Sequence, residues 1–201
     1  MTTPEQSPPR RGRGRRPAAE VRAGVLRAAA DLLLAEGIKA VTFDRVAAAA
    51  GSSKVTLYKW WPSAGALAAE AYFTHSEHRL EFPDTGDLRA DLTAQIRAFV
   101  GLLTEDGTGP VIAGLIGVAQ TDPELSAAFS RYYSVPRRAL ALATFAKARD
   151  RGELRTDIDL TILVDQLWGA CYHRLLIPDE PLTEEFAIAL VDNALDGARA
   201  R

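Results

Sequence analysis

The sequence predicts an all-α protein: an N-terminal unit of three helices containing a helix-turn-helix, then a larger C-terminal helical region. Three observations predict it. Apolar residues recur every three to four positions along most of the chain, the spacing of one helix face. No segment sustains the alternation of a half-buried strand, and no internal repeat is visible. Glycine, proline and capping residues punctuate the chain at intervals that suit helices. With 201 residues, 47% of them hydrophobic and 25% charged, the chain can bury a core of its own. It has no uncharged apolar run of about 18 residues, so no membrane span is expected. The N-terminus is polar and arginine-rich with no apolar run after it, unlike a secretory leader. The lone cysteine, Cys171, suits a reducing cytoplasm.

Residues 1–17 combine proline, glycine and arginine with almost no apolar side chains, and are expected to be disordered. From Ala18, the positions Val21, Val25, Ala28, Ala29, Leu32 and Leu33 mark a first helix that ends near Glu36, with Gly37 as its C-cap. Thr42 is placed to cap a short second helix from Phe43 to Ala50, stopped at Gly51. Ser52 or Ser53 caps a third through about Trp60. After Pro62 and Ser63, a fourth runs from about Ala64 to Arg79. A loop from Phe82 to Gly86 precedes a helix from Asp87 to about Thr104. A glycine-rich turn, Asp106 to Gly109, leads into an apolar segment ending near Gln120. Asp122-Pro123 pairs an N-cap with a helix-opening proline, and the helix that follows is expected to reach about Arg151, kinked or broken at Pro136. Asp157 to Ile177 and Thr183 to Ala198 complete the series. The expected division is a basic tail (1–17), a helix-turn-helix unit (18–63) and a helical remainder (64–201).

A formal net charge of −2 hides an asymmetry. Residues 1–61 hold 11 basic and 5 acidic side chains, whereas the rest of the chain holds 13 and 21. A basic first third on an acidic body suggests a polyanion-binding module. Arg10, Arg11, Arg13, Arg15 and Arg16 in the tail supply most of that excess, so the case rests on the residues after them.

Val46 and Ala50 share the inner face of the second helix, Ala47 is small where two helices would cross, and Gly51 supplies the turn, as a helix-turn-helix requires. Leu57 and Trp60 form the inner face of the third helix. Ser53, Lys54, Thr56, Tyr58 and Lys59 are then left outward as donors for a major groove. A plain helical hairpin with a solvated face is the alternative. The stretch GIKAVTFDRVAAAAGSSKVTLYKWWPSAGAL, Gly37 to Leu67, resembles the DNA-binding domain of TetR-family transcriptional regulators, with LYKWWPS (Leu57 to Ser63) in the place of that family's aromatic signature. The resemblance implies a homodimeric, ligand-responsive repressor that binds a palindromic double-stranded DNA operator and is released by a small effector. It implies that Thr42 meets a phosphate, that Lys54 and Thr56 face base edges or flanking phosphates, and that Tyr58 and Lys59 clamp the DNA backbone. Ala64 stands where many relatives carry a lysine, and Arg45 with the tail arginines is expected to compensate. The last two helices are implied to pair with a second subunit.

In the helical remainder, Phe129, Tyr132 and Tyr133 lie on one helix and Trp168, Tyr172 and His173 on another. Core packing and an effector pocket use the same residue types, and both readings stand at this point. Leu163 with Leu167, and Leu190 with Ala194, are four-apart pairs that could join a four-helix bundle across a two-fold axis or face their own core. No catalytic constellation is legible. His75 and His78 are too few for zinc, Cys171 and His173 diverge on a helix, and no GxSxG, P-loop or GxGxxG pattern occurs. Neither an enzyme nor a cofactor or metal is therefore expected. The rival reading is a helical small-molecule binding or storage protein without DNA binding.

Overall fold

The computed structural model describes residues 17–76, 82–105 and 108–198, and its regular elements among these are helices. The tail arginines, His78, Arg79, Asp106 and Gly107 lie outside the described residues. α1 (Ala18–Glu36) buries Val25, Leu26, Ala29, Ala30 and Leu33, and ends at Gly37 with a φ of 81°. A 3-10 turn at Ile38–Ala40 leads to α2 (Phe43–Ala50) and α3 (Lys54–Trp60). α4 (Ala64–Ser76) is buried at every residue from Ala66 to Phe73.

α5 (Leu88–Thr104), capped by Asp87, is followed by α6 (Thr108–Ala119). α7 (Pro123–Phe129) opens on Asp122, whose Oδ1 accepts the N–H groups of Glu124 and Leu125, each at 3.0 Å. α4 packs between α1 and α7. At its start a Cβ on Gly65 would lie 3.2 Å from Asp122 Oδ2 and 3.4 Å from Leu125 Cβ, so only a glycine allows this approach without adjustment.

The expected kink or break at Pro136 is instead a π turn, Ser130–Ser134, joining α7 to α8 (Val135–Asp150). Val135 N–H donates to Ser130 O, and the backbone stays right-handed helical. A proline ring crowds the carbonyl four residues behind it, here that of Tyr132, and offers it no N–H. Widening the turn just ahead of the ring accommodates both effects. α9 (Leu160–Leu176) starts later than Asp157 because Asp159 caps it, accepting the Thr161 N–H at 2.7 Å. α10 (Glu184–Ala198) is capped by Thr183, which accepts the Phe186 N–H at 3.1 Å. One continuous core runs from Leu33 and Leu57 through Leu67 and Phe99 to Phe145 and Leu167. No single helix among the described residues is long and apolar enough to cross a membrane.

Candidate nucleic-acid interface and effector cavity

The turn between α2 and α3 is built by three local devices. Thr42 accepts the Arg45 N–H on Oγ1 at 3.3 Å and starts α2. Gly51 stops it in the left-handed region, at φ 59° and ψ 38°, where a residue with a Cβ is strained. Ser53 caps α3, its Oγ 3.2 Å from the Thr56 N–H nitrogen and 2.9 Å from the Thr56 hydroxyl. Val46, Ala47 and Leu57 are buried between the helices. Trp60, expected on the inner face, is half-buried. The deep anchor is Trp61, 1% exposed, which leaves the helix in extended backbone and carries its indole inward.

This inward set turns Lys54, Val55, Tyr58 and Lys59 to solvent on one side of α3. Val55 and Tyr58 are 66% and 64% exposed, and the Tyr58 ring rests edge-on against Phe43 at 4.6 Å. A search for polar donors passes over Val55; its place three residues before Tyr58 is the signal that finds it. Thr56 is half-buried, with its hydroxyl engaged by Ser53. Two of the expected cations are held by their own chain. Lys54 pairs with Asp44, and Arg45 makes hydrogen bonds of 3.0 and 2.6 Å to Glu36. These bonds raise the pKa of Lys54 and Arg45 and hold the Glu36 carboxyl below its usual range. Exposed pairs of this kind contribute little to stability, so a phosphate can take the place of either carboxylate.

Between the π turn with α8 and the facing side of α9 lies a cavity of about 390 Å³. It gathers four of the aromatic side chains expected there: Phe129, Tyr133, Trp168 and Tyr172. The Tyr172 hydroxyl donates to that of Tyr133 at 2.7 Å, and burial pushes the pKa of both phenols up. Two expected residues are not brought in. Tyr132 turns to a separate cavity of about 270 Å³ beside Phe73 and Arg131. His173 is exposed, two residues past the fully buried Cys171 and so on the opposite side of α9. The polar wall, which aromatic spacing alone does not reveal, is Arg137, Arg138 and Asp165, with Arg138 and Asp165 paired to each other. The signal lies at helical offsets from Tyr133 and Trp168.

On the outer side of α9 and α10 a groove of about 490 Å³ runs past Ile158, Ile162, Gln166, Leu190, Asn193 and Ala194. Leu190 and Ala194 are half-buried, and Ile162 is 52% exposed. Leu163, 3% exposed, reaches only the floor of this groove, and Leu167 is fully enclosed by its own chain. Their stripe faces inward, and the outward residues of α9 are its neighbours.

Comparison with known proteins converges on one family. The family model described as "Bacterial regulatory proteins, tetR family" matches residues 25–71, and "Tetracyclin repressor-like, C-terminal domain" matches residues 82–194. The HTH-type transcriptional regulator YdeS of Bacillus subtilis (strain 168) is 35% identical over 88% of each chain. The DNA-binding transcriptional repressor TetR of Mycobacteroides abscessus is 31% identical over 86% of this chain and 90% of its own. The crystal structure of the TetR family transcription regulator SCO0332 superposes with a TM-score of 0.82 at 57% identity, covering 89% of this chain and 98% of that one.

Proposed function

We propose that this chain, which belongs to the TetR family of bacterial regulatory proteins, is a ligand-responsive repressor whose parts have the following roles. As a DNA-binding transcriptional regulator it acts on an operator, and regulators of the family work as dimers that answer to small effectors. The observation that carries the reading is the outward side of α3, where Lys54, Val55, Tyr58 and Lys59 stand together on a helix locked from behind by Leu57 and Trp61. Lys54 and Tyr58 meet base edges or flanking phosphates, and the Val55 isopropyl group meets a thymine methyl. Thr42, Arg45 and Lys59 take phosphates, while Ser53 and Thr56 hold the start of the helix. Residues 18–63 form the reading unit, and the helical remainder (64–201) carries the cavity and the dimer face.

Two copies pair through α9 and α10 with Ile162, Gln166, Leu190 and Ala194 at the seam, and read the two halves of a palindrome. The effector is a small, largely apolar molecule held among Phe129, Tyr133, Trp168 and Tyr172. A cavity of about 390 Å³ falls in the range of small-molecule sites. The M. abscessus relative, a DNA-binding transcriptional repressor, supports repression as the sign of regulation. The chain is not an enzyme, and it works in the cytoplasm, where a bacterium keeps its DNA.

Selection from a random duplex pool with the full-length protein tests this. A palindromic sequence should be enriched. On that duplex Lys54→Ala or Tyr58→Ala should cost about 1–3 kcal/mol, relaxing preference at one position per half-site where a base contact is lost. Failure to enrich any sequence, or variants that bind like the parent, would refute the reading.

A further inference from the structure

Glu70 is a carboxylate buried in the middle of α4, 4% exposed. Its Oε2 accepts the Trp61 indole N–H at 2.7 Å, and its Oε1 is paired with Arg22 of α1. The Arg22 guanidinium also lies 5.0 Å from the Trp61 ring centre. The Tyr132 phenol in the π turn approaches from the other side, where burial and then the nearby Glu70 carboxylate push its pKa up. A buried charge persists only where its partners hold it. One carboxylate therefore ties the corner that follows α3 to α1, with the π turn of the C-terminal region beside it.

Tyr133, the next residue, points elsewhere. Its ring stacks on Phe73 of α4 at 4.3 Å and 16°, and its hydroxyl accepts from Tyr172 in the larger cavity. A molecule entering between Tyr133 and Tyr172 must part or re-aim that hydroxyl pair. Movement there passes to Tyr132 through a single peptide unit, in a π turn, a geometry that recurs at functional sites. We propose that Glu70 is a positioning residue that fixes the angle of α2 and α3 to the rest of the chain, and that Tyr132 transmits occupancy of the cavity to it. This rests on the cavity being the effector site.

The test uses full-length protein carrying 5-fluorotryptophan, with its three 19F signals assigned from Trp60→Phe, Trp61→Phe and Trp168→Phe. Gly169 lines the cavity and has open space where a Cβ would lie. Gly169→Cys alkylated with N-phenylmaleimide thus places a tethered phenyl ring there. Cys171 does not compete, because burial pushes its thiol up to about 12. Alkylation should move the Trp168 and Trp61 signals together and weaken the selected duplex by roughly 5- to 150-fold, the span of ordinary allosteric couplings. With Tyr132→Phe added, which removes one oxygen from a half-buried ring, the Trp168 signal should still move while the Trp61 signal stays and the loss of affinity disappears. Glu70→Gln should give the same uncoupling. An equal loss of affinity with Tyr132→Phe present overturns the relay and leaves the effector reading standing. A Trp168 signal that moves with no change in affinity in any background overturns both.

Discussion

Replacing Glu70 with alanine tests how much of the fold hangs on one buried hydrogen bond. The carboxylate is 4% exposed and Trp61 is 1% exposed, so the indole N–H cannot reach water once its acceptor is gone. Leaving one such donor unsatisfied costs about 1–3 kcal/mol. The Arg22 side chain is 37% exposed and can turn its guanidinium to solvent, so its ion pair is discounted. For a chain of this size each kcal/mol moves the melting temperature by about 2–4 °C, which places Glu70→Ala roughly 2–12 °C below the parent. Circular-dichroism melts at fixed protein concentration measure this directly. The decisive comparison is in a Trp61→Phe background, where no indole donor remains to be orphaned. There Glu70→Ala should cost less than in the parent by most of that amount, as a coupling between contacting residues. Effects that add to within about 0.5 kcal/mol would refute the reasoning, because the Trp61 N–H would then have found another acceptor or contributed nothing.

Gly51→Ala puts a Cβ into the left-handed region at φ 59°. It should cost about 1–2 kcal/mol in the same melts, and unchanged melting would show that the turn adjusts freely. Val55→Ala should weaken the selected duplex by about 0.8 kcal/mol for each thymine-covered carbon lost. Exchanging operator thymines for uracil should erase the difference between the two proteins, and a difference that survives on uracil DNA removes the methyl contact. Ile162→Glu, at a position 52% exposed, should convert dimer to monomer in sedimentation with little change in the monomer fold. Leu163→Glu, at 3% exposure, should unfold the chain instead. A dimer that tolerates Ile162→Glu puts the seam elsewhere. Asp122→Ala removes the acceptor for two N–H groups at the start of α7 and should cost about 0.5–2 kcal/mol; a smaller loss would mean that water replaces the cap.

The element order was legible because the signals are local. Thr42, Ser53, Asp87 and Asp122 each accept a backbone N–H two or three residues ahead, and Gly37, Gly51 and Gly152 each take a positive φ where a helix stops. These choices depend on a few neighbouring residues, so composition and spacing reveal them. The deep side of the helix-turn-helix was less legible. Trp60 and Trp61 are adjacent, and spacing from Leu57 favours Trp60 as the inward ring. The backbone leaves the helix at Trp61, with φ −130° and ψ 132°, and that exit carries the second indole down to Glu70. The partner that makes this exit favourable lies nine residues on, beyond the reach of a helical pattern.

The same limit explains why a cluster of aromatic residues was visible while its division was not. Phe129, Tyr132 and Tyr133 look equivalent in sequence, yet adjacent helical residues point about 100° apart. Tyr133 therefore faces Tyr172 across the larger cavity, whereas Tyr132 turns to the smaller one. Pro136 announces a disturbance without saying whether the chain bends, breaks or widens. The outcome depends on what packs against the turn: Phe73 of α4 stacks on Tyr133 and also meets Phe129 edge-on at 5.1 Å. A break would separate those two rings from their common partner. A π turn keeps both on Phe73 while relieving the proline, so packing from a distant helix selects the wide turn over the kink.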